Sequence, residues 1–443
     1  MTEIARTVAS HAGRPVYVDV MAPEMLEAVV STLDEALGKE PRKIWPATVP
    51  NEALEFASLR DRHKQLKLED RLMLVPLARL GVPQGFSGSS VFIGYFTDDT
   101  KRYLPSRPVV IKIGKKESLE DELRQARSWP PHAHGDDRHF AYPFHIATSS
   151  SLTEERTVLV APFSSADKLD KHQTGYELKL RDLYSLLISP SETVESLLQH
   201  LNAVYTLMHG IHRNGLVKCS RVKFTYSEQY EKYIRKLHTD RQNIPLAIFG
   251  NEDKTTLFGA KWPNPIKVFE GLWKIVSFEG TSGPVHGDLH PKNIVLDNQN
   301  SPNIIDFGWA QSSGHLVKDY ALMEANLRAV TLPSHLKAED VVALSKMLAI
   351  EDALPTGSDV ITSRARLIRE GIWKSLERGN IVDDWNREYL VPLFLISYGL
   401  LKHLDDARNQ QALVSTILSL SERIDQVCRG NFEALVSGHG VAK

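Results

Sequence analysis

Hydrophobic and polar residues follow different patterns in successive parts of the chain. Short runs rich in Val, Ile, Leu and Phe occur at 72–75, 90–96 and 109–113, separated by Gly, Pro, Asp and Thr. Such runs between turn-forming residues predict three strands of an antiparallel sheet. A charged helix is predicted over 117–128 and a strand over 157–160, after which helical spacing dominates almost to the end. The pattern predicts an α+β fold in which a β-rich part precedes a helical part.

The same changes of pattern divide the chain into predicted segments. They are an appendage at 1–70, a β-rich lobe at 71–163 and a helical lobe at 164–443. The appendage is predicted to hold a strand at 15–21 and helices at 23–38 and 51–67, and it carries no chemical motif. It could pack against the next domain or bind protein partners. A seam between a β-rich and a helical lobe is a usual place for a ligand.

Composition narrows the function classes. The 443 residues are 42% hydrophobic and 24% charged, which is ordinary for a globular protein. Lys and Arg number 53 against 55 Asp and Glu, so no net field attracts nucleic acid or an anionic membrane. Cys219 and Cys428 lack the spacing of a disulfide framework or a zinc site, which favours a reducing, cytoplasmic location. The most apolar stretch, 389–401, is too short to span a bilayer, so a buried helix is expected there.

The strongest chemical signal is the segment 285–296, VHGDLHPKNIVL, together with 304–308, IIDFG. Phosphoryl transfer needs a carboxylate near the acceptor hydroxyl and oxygen ligands that hold magnesium against a triphosphate. Asp288, Asn293 and Asp306 can supply these groups. The apolar runs in both motifs predict two short strands joined by a polar turn. Such a hairpin would hold the two magnesium ligands at a fixed separation.

These motifs resemble the signature of the aminoglycoside phosphotransferase and choline kinase superfamily, whose members are relatives of protein kinases. The resemblance implies a bilobal protein-kinase-like fold that binds ATP and Mg²⁺. It implies that Asp288 is the catalytic base and that Asn293 and Asp306 are magnesium ligands. His290 stands where many protein kinases carry a phosphate-contacting lysine, and Lys292 is a nearby cation that could compensate. The His-Gly-Asp order, in place of His-Arg-Asp, is similar to the small-molecule kinases.

The resemblance also requires a phosphate-binding loop between two strands near the start of the β-rich lobe. Gly85, Ser87, Gly88 and Ser89 lie at this place and could close over phosphates with backbone N–H groups and hydroxyls. The loop lacks a third glycine and is a partial match, and Gly/Ser-rich hairpins are commonly plain turns.

Lys112 ends an apolar strand and, by the same resemblance, should reach the α- and β-phosphates. Such a lysine needs an acidic partner on the following helix. Glu122 is the first choice and Glu120 the second, while Glu117 and Asp121 are also near.

The resemblance places the hinge between the lobes at Val160 and Ala161, whose backbone groups would contact adenine; a plain strand end is the alternative. An apolar stripe over 197–211 predicts a helix that ends at Asn214. Farther on, residues 317–321 resemble a stretch of the phosphotransferases, and this resemblance implies that Asp319 braces the loop that carries Asp288.

An insert of about 70 residues at 216–284 separates that helix from the His-Gly-Asp motif, where a protein kinase has only a few residues. Tyr226, Tyr230 and Tyr233 in the insert could border an acceptor site, but a solvated helix is the favoured interpretation. The long insert, the partial glycine loop and the appendage are similar to the bacterial kinase-like "ternary complex associated" domains of signalling and conflict systems.

Three function hypotheses follow. The first is an ATP- and magnesium-dependent phosphotransferase that moves the γ-phosphate to a hydroxyl of a small molecule; for a cationic acceptor, Asp383–Asp384 or Glu351–Asp352 could supply negative charge. The second is a protein kinase or a nucleotidyl transferase on the same fold, although an APE-type segment is missing after 308. The third is a nucleotide-binding pseudokinase scaffold in a bacterial signalling or conflict system, against which the complete set of catalytic residues argues.

Overall fold

The computed structural model describes the chain in several stretches. They are 46–47, 72–80, 90–97, 109–129, 139–141, 143, 145–147, 156–162, 177–178, 181–214, 219–235, 237, 243–275, 277–296, 300–349, 359–428 and 432. Several predictions concern residues outside these stretches, namely the strand at 15–21, the helices at 23–38 and 51–67, the loop residues Gly85, Ser87, Gly88 and Ser89, and the acidic pair Glu351–Asp352.

The elements are numbered in chain order. The strands are β1 (Pro46–Ala47), β2 (Leu72–Leu80), β3 (Ser90–Thr97), β4 (Val109–Lys115), β5 (His145–Ala147), β6 (Arg156–Pro162), β7 (Glu177–Leu178), β8 (Ser220–Phe224), β9 (Lys254–Leu257), β10 (Ala260–Pro263), β11 (Phe278–Val285), β12 (Ile294–Leu296), β13 (Pro302–Ile304) and β14 (Gln311–His315).

The helices alternate with these strands and dominate the later part of the chain. They are α1 (Lys116–Ser128), α2 (Leu183–Leu187), α3 (Val194–Asn214), α4 (Tyr226–Ile234), α5 (Ile244–Phe249), α6 (Pro265–Trp273), α7 (Val317–Ala325), α8 (Ala338–Ala349), α9 (Val360–Arg366), α10 (Lys374–Gly379), α11 (Val391–Gly399) and α12 (Gln410–Cys428). Short π-helical segments cover Asn326–Val330, Leu367–Trp373 and Trp385–Leu390, and 3₁₀ turns cover Pro291–Asn293 and Leu400–Asp406.

The predicted α+β class is confirmed. Strands β2, β3, β4 and β6 and helix α1 form where the alternation of apolar and turn residues predicted them. Helix α3 ends at Asn214, and its apolar stripe is buried from Leu197 to Ile211. Every residue of α11 is buried, as expected for the apolar stretch at 389–401. Among the described residues, no helix is long and apolar enough to cross a membrane.

The chain divides into two compact units. The first consists of Met1–Arg181 and Val295–Trp309, and the second of Asp182–Ile294 and Ala310–Lys443. The β12–β13 segment thus belongs to the first unit, although it follows most of the second in the sequence. Backbone bonds explain this: Ile304 N–H donates to His139 O at 2.7 Å, and Ala141 N–H donates to Ile304 O at 2.9 Å. The sequence-based division at residue 163 did not anticipate this return of the chain.

The first unit is built on one sheet with the order β1-β2-β3-β4-β6-β5, in which β7 also pairs with β2. Lys112 lies in the interior strand β4, opposite Val91 of β3 and Leu159 of β6. Helix α1 buries Leu119 and Leu123 against Leu159. This packing fixes α1 on the sheet, close to the lysine strand that precedes it.

The second unit contains the insert, and one prediction for it is wrong. The three tyrosines of α4 are only 1%, 0% and 5% exposed at Tyr226, Tyr230 and Tyr233, so the tyrosine face of α4 is buried and not solvated. Tyr226 stacks on Phe278 of β11 with ring centroids 4.2 Å apart, and the Tyr230 hydroxyl lies 2.7 Å from His315 Nδ1. Tyrosine is compatible with both environments, because its ring is apolar and its hydroxyl is polar.

Candidate active site

Lys112, Glu122 and Asp306 form a charged cluster in the first unit, named here the Lys112 cluster. Lys112 Nζ donates to Glu122 Oε2 at 2.7 Å and lies 3.3 Å from Asp306 Oδ2. The lysine and glutamate side chains are 11% and 10% exposed, whereas the Asp306 side chain is 40% exposed. The acidic partner of Lys112 is therefore Glu122, the first choice from the sequence. Glu120 instead lies at the surface, 3.9 Å from Lys116.

The cluster holds one cation against two carboxylates, and this imbalance affects its acid–base properties. Burial disfavours the charged lysine, but the charges of Asp306 and Glu122 outweigh burial and raise the pKa of Lys112. Burial and the like charge of Asp306 raise the pKa of Glu122 to about 7, although Lys112 opposes this shift. Because two carboxylates face one lysine, a second cation beside the partly exposed Asp306 carboxylate would be electrostatically favourable.

Asp306 has an unusual backbone conformation. Its φ angle is 65°, in the left-handed region that residues other than glycine rarely adopt. The next residue, Phe307, is fully buried and contacts Trp129 at the end of α1, with ring centroids 5.2 Å apart. A buried aromatic anchor beside a strained aspartate is how a fold can hold a carboxylate in one orientation.

Residues 286–293, the loop predicted to be catalytic and named the catalytic loop here, belong to the second unit and follow β11. Asp319 of α7, only 1% exposed, accepts the backbone N–H groups of His286 and Gly287, each at 2.8 Å. The predicted brace is confirmed by these two bonds. Burial raises the pKa of Asp319 to about 6, although the two N–H donors and Lys318 oppose the shift.

The rest of the catalytic loop is held by its own hydrogen bonds. The Asp288 carbonyl accepts His290 N–H at 2.8 Å and Asn293 Nδ2 at 2.9 Å. Asn293 is 7% exposed, and the Asp288 side chain is 30% exposed. His290 Nδ1 accepts Lys292 N–H at 3.2 Å, and its Nε2 lies 3.8 Å from Asp288 Oδ2. The loop therefore presents the Asp288 carboxylate from a fixed backbone.

The remaining predicted residues are placed as follows. Lys292 Nζ lies 4.8 Å from the centre of the Tyr184 ring, a cation–π distance, in the second unit. Val160 and Ala161 lie near the end of β6, opposite Ile111 and Val110 of β4. On the side of β6 away from β4, strand β5 pairs with residues 158–160 only, so on that side Ala161 has no partner among the described strands. The phosphate and adenine roles of these residues stay predictions.

The donor set can be tested for magnesium. In the described part of the chain, no group of three or more His, Cys, Asp or Glu side chains is arranged to hold a metal ion. Asn293 uses Nδ2 for the Asp288 carbonyl, which leaves its Oδ1 as the ligand atom, and Asp306 offers a partly exposed carboxylate. Each of these oxygens is of the kind that Mg²⁺ binds, because this ion prefers oxygen ligands and keeps waters and substrate phosphates instead of using a complete protein cage.

A family model supplies the identity that these contacts leave open. The model "Ternary complex associated domain 9" matches residues 181–402, which is half of the chain. The chain belongs to the ternary complex associated domain 9 family. The matched residues include Asp288, Asn293, Asp306 and Asp319 but not Lys112. A comparison with curated proteins finds no match.

Solved structures similar to this ternary complex associated domain include two crystal structures of a thermostable mutant of aminoglycoside phosphotransferase APH(4)-Ia. The apo form has 13% identity and a TM-score of 0.40, covering 78% of this chain and 94% of that one. A ternary complex with ADP and hygromycin B has 14% identity and a TM-score of 0.40, covering 78% and 93%. Within this chain, the lysine strand β4, the acidic helix α1, the loop with Asp288 and strands β12 and β13 follow one another in the order that the sequence resemblance implies.

Two groups of residues in this domain have contacts that the sequence interpretation did not include. Asp383 lies 3.4 Å from Arg221, and Asp384 accepts Arg387 at 2.7 Å, so these acidic groups are already paired with arginines. Tyr233 was not distinguished from the other tyrosines of the insert, yet its hydroxyl donates to the Gly287 carbonyl in the catalytic loop. Only its helical spacing was visible in the sequence, and that spacing gives no partner.

Proposed function

We propose that this chain is an ATP- and magnesium-dependent phosphotransferase that moves the γ-phosphate to a hydroxyl of a small molecule. The observation that carries the proposal is the Lys112 cluster, in which a buried lysine is held by Glu122 at 2.7 Å with Asp306 at 3.3 Å. A strand lysine held by a helix glutamate is the arrangement that supports the α- and β-phosphates in protein-kinase-like enzymes.

Each remaining residue has a role in this proposal. Asp306 and Asn293 each give an oxygen to magnesium, which when bound neutralises charge on the phosphates. Asp288 accepts the proton of the acceptor hydroxyl, because its carboxylate is partly exposed on a loop fixed by hydrogen bonds. Lys292 adds a positive charge near the loop, and His290 lies beside Asp288 on the same loop. The small-molecule acceptor is favoured by the His-Gly-Asp order and the missing APE-type segment.

The test follows labelled γ-phosphate from ATP into a panel of hydroxylated small molecules and a protein lysate, with and without magnesium. Asp288→Ala should abolish transfer while nucleotide affinity stays within about twofold, because a base acts on the transferred proton and not on binding. Asp306→Ala should lose transfer and magnesium-dependent nucleotide binding together. Asp359→Ala, at the exposed cap of α9, is the matched control for removing a carboxylate. Equal transfer by the wild type and Asp288→Ala would exclude Asp288 as the base.

A second candidate function, a nucleotide-binding scaffold, is favoured by the family description, which refers to a ternary complex. The same experiment separates the two functions. A scaffold would bind ATP and transfer no label, whereas an enzyme would lose transfer on Asp288→Ala. Label in protein alone would support the protein-kinase alternative.

A further inference from the structure

A side chain of the insert contacts the catalytic loop. Helix α4 lies wholly within the insert at 216–284, and Tyr233 near its end is 5% exposed. Its hydroxyl donates a hydrogen bond to the carbonyl oxygen of Gly287, the residue directly before Asp288. The insert is therefore in direct contact with the backbone that carries the proposed base.

Gly287 is the point at which the catalytic loop most needs such a contact. Its φ angle is 79°, a conformation that glycine adopts readily and that other residues avoid. The same freedom makes glycine the least restrained residue of the loop unless its peptide groups are held. Asp319 holds the N–H of Gly287 at 2.8 Å, and Tyr233 holds its carbonyl. The two contacts fix the peptide groups on both sides of this glycine.

Helix α4 is itself firmly placed in the second unit, so Tyr233 acts from a rigid support. The Tyr226 hydroxyl donates to Arg387 O at 2.8 Å, and Lys402 Nζ lies 3.3 Å from the carbonyl of Tyr233. Gly399 of α11 passes so close that a Cβ at this position would lie 2.5 Å from the Tyr233 carbonyl. The position of the Tyr233 hydroxyl is therefore determined by the helices behind it.

We propose that Tyr233 is a positioning residue that fixes the Gly287–Asp288 peptide group and so orients the Asp288 carboxylate. The contact gives the insert a definite task, namely to hold the carbonyl of the glycine whose N–H group is held by Asp319. That Tyr233 orients a base rests on the proposed function. The restraint of the loop by Tyr233 does not rest on the proposed function, so the restraint and the orientation of Asp288 need separate readouts.

The test compares Tyr233→Phe with Tyr226→Phe in the full chain. The two changes are matched, because each removes one buried hydroxyl from the same helix and each hydroxyl donates to a backbone carbonyl. Only the first carbonyl belongs to the catalytic loop. The first readout is hydrogen–deuterium exchange of peptides that cover 285–293, and the second is magnesium-dependent transfer, resolved into kcat and the KM for ATP.

We expect both variants to lose similar thermal stability. Only Tyr233→Phe should speed exchange in 285–293, and it should lower kcat about tenfold at unchanged KM, because one hydrogen bond to the loop is lost. Equal exchange in both variants would overturn the positioning role whether or not the protein is an enzyme. If Tyr233→Phe exchanges faster but the wild type itself transfers no phosphate, the restraint is supported and the proposed function is refuted. Faster exchange with an unchanged kcat in an active enzyme would show that the restraint does not orient Asp288.

Discussion

The Lys112 cluster and the catalytic loop are both buried polar arrangements, but different forces hold them. In the cluster, charged side chains hold one another, with one lysine against two carboxylates. In the loop, the backbone is held by two groups from distant helices, the Asp319 carboxylate and the Tyr233 hydroxyl. The first arrangement depends on the balance of charges and the second on hydrogen bonds to the backbone. Substitutions that remove a charge or a contact should therefore affect the two regions differently.

The largest effect is expected at Lys112. Lys112→Met leaves Glu122 buried without its cation, and breaking a buried ion pair in this way lowers the free energy of unfolding by about 3–5 kcal/mol. Lys116→Met removes the surface ion pair with Glu120, which is 3.9 Å long and lies on α1, the helix that also carries Glu122. Both side chains of this pair are about half exposed, so its loss should lower the free energy of unfolding by under about 0.5 kcal/mol. Urea unfolding measures both changes.

A double variant sharpens this prediction. Lys112→Met with Glu122→Leu removes both buried charges, and replacing a buried pair by apolar groups is often close to neutral. We expect most of the lost stability to return. A double variant as unstable as Lys112→Met would mean that the loss comes from packing and not from the unpaired charge.

The next effect is expected at Asp319, on the loop side of the comparison. Asp319→Ala leaves two buried backbone N–H groups, those of His286 and Gly287, without an acceptor. The free energy of unfolding should fall by about 2–4 kcal/mol, since each unsatisfied buried donor costs about 1–3 kcal/mol. Asp359→Ala also removes a carboxylate that accepts a backbone N–H, but at an exposed helix cap, where about 1 kcal/mol is expected. Equal losses in urea unfolding would contradict the buried brace.

Low pH should lower the free energy of unfolding through His212, which contacts the strand before the catalytic loop. Its Nε2 lies 3.1 Å from the Pro284 carbonyl in β11, the strand that leads into the catalytic loop, and burial lowers its pKa to about 4. Because the folded-state pKa lies below the unfolded value of about 6.5, this histidine favours folding above pH 6.5 and the contribution is lost as pH falls towards 4.

His212→Gln keeps a side-chain N–H donor and should remove about 2 kcal/mol of the loss of stability between pH 6.5 and 4. Urea unfolding across this range measures the slope. The same change at exposed His335 is the control. If His212→Gln and the wild type have parallel pH profiles, the neutral histidine does not support β11.

The smallest effect concerns the packing behind Tyr233. Gly399→Ala places a Cβ 2.5 Å from the Tyr233 carbonyl and should lower the free energy of unfolding by about 1–2 kcal/mol. Gly210→Ala, also in a helix but with open space around the added Cβ, should raise it by about 0.5–1 kcal/mol. Opposite signs in thermal unfolding are expected, and a stabilising Gly399→Ala would show that α4 and α11 are not in close contact.

Much of the first unit was predictable because its signals are local. Alternating apolar runs between turn residues predicted its main strands, and the position of Glu122 among Leu119, Leu123 and Ala126 placed it on the buried face of α1. Glu120 failed as a partner because it lies on the exposed face. The return of 295–309 to this unit was not predictable, since it depends on backbone bonds to residues more than 150 positions earlier in the sequence.

The prediction of a solvated insert helix failed for a related reason. Tyrosine spacing indicates which residues share a face of α4, but not what that face contacts. The contacts are Phe278, His315 and Gly287, which lie 52 to 85 residues farther along the chain than the tyrosines they touch. The arginine partners of the acidic pair at 383–384 were likewise not visible in the sequence, because Arg221 lies more than 160 residues away.

The sequence by itself determined the order of elements and the spacing of Asp288, Asn293 and Asp306. These follow from short-range periodicity and from motifs within single loops, where neighbours in the chain are neighbours in space. Only the tertiary structure decided that Glu122 holds Lys112 and that Tyr233 holds Gly287. A pattern of apolar and polar residues records burial, whereas a hydrogen bond requires two particular atoms to meet, and for distant residues only the folded chain brings them together.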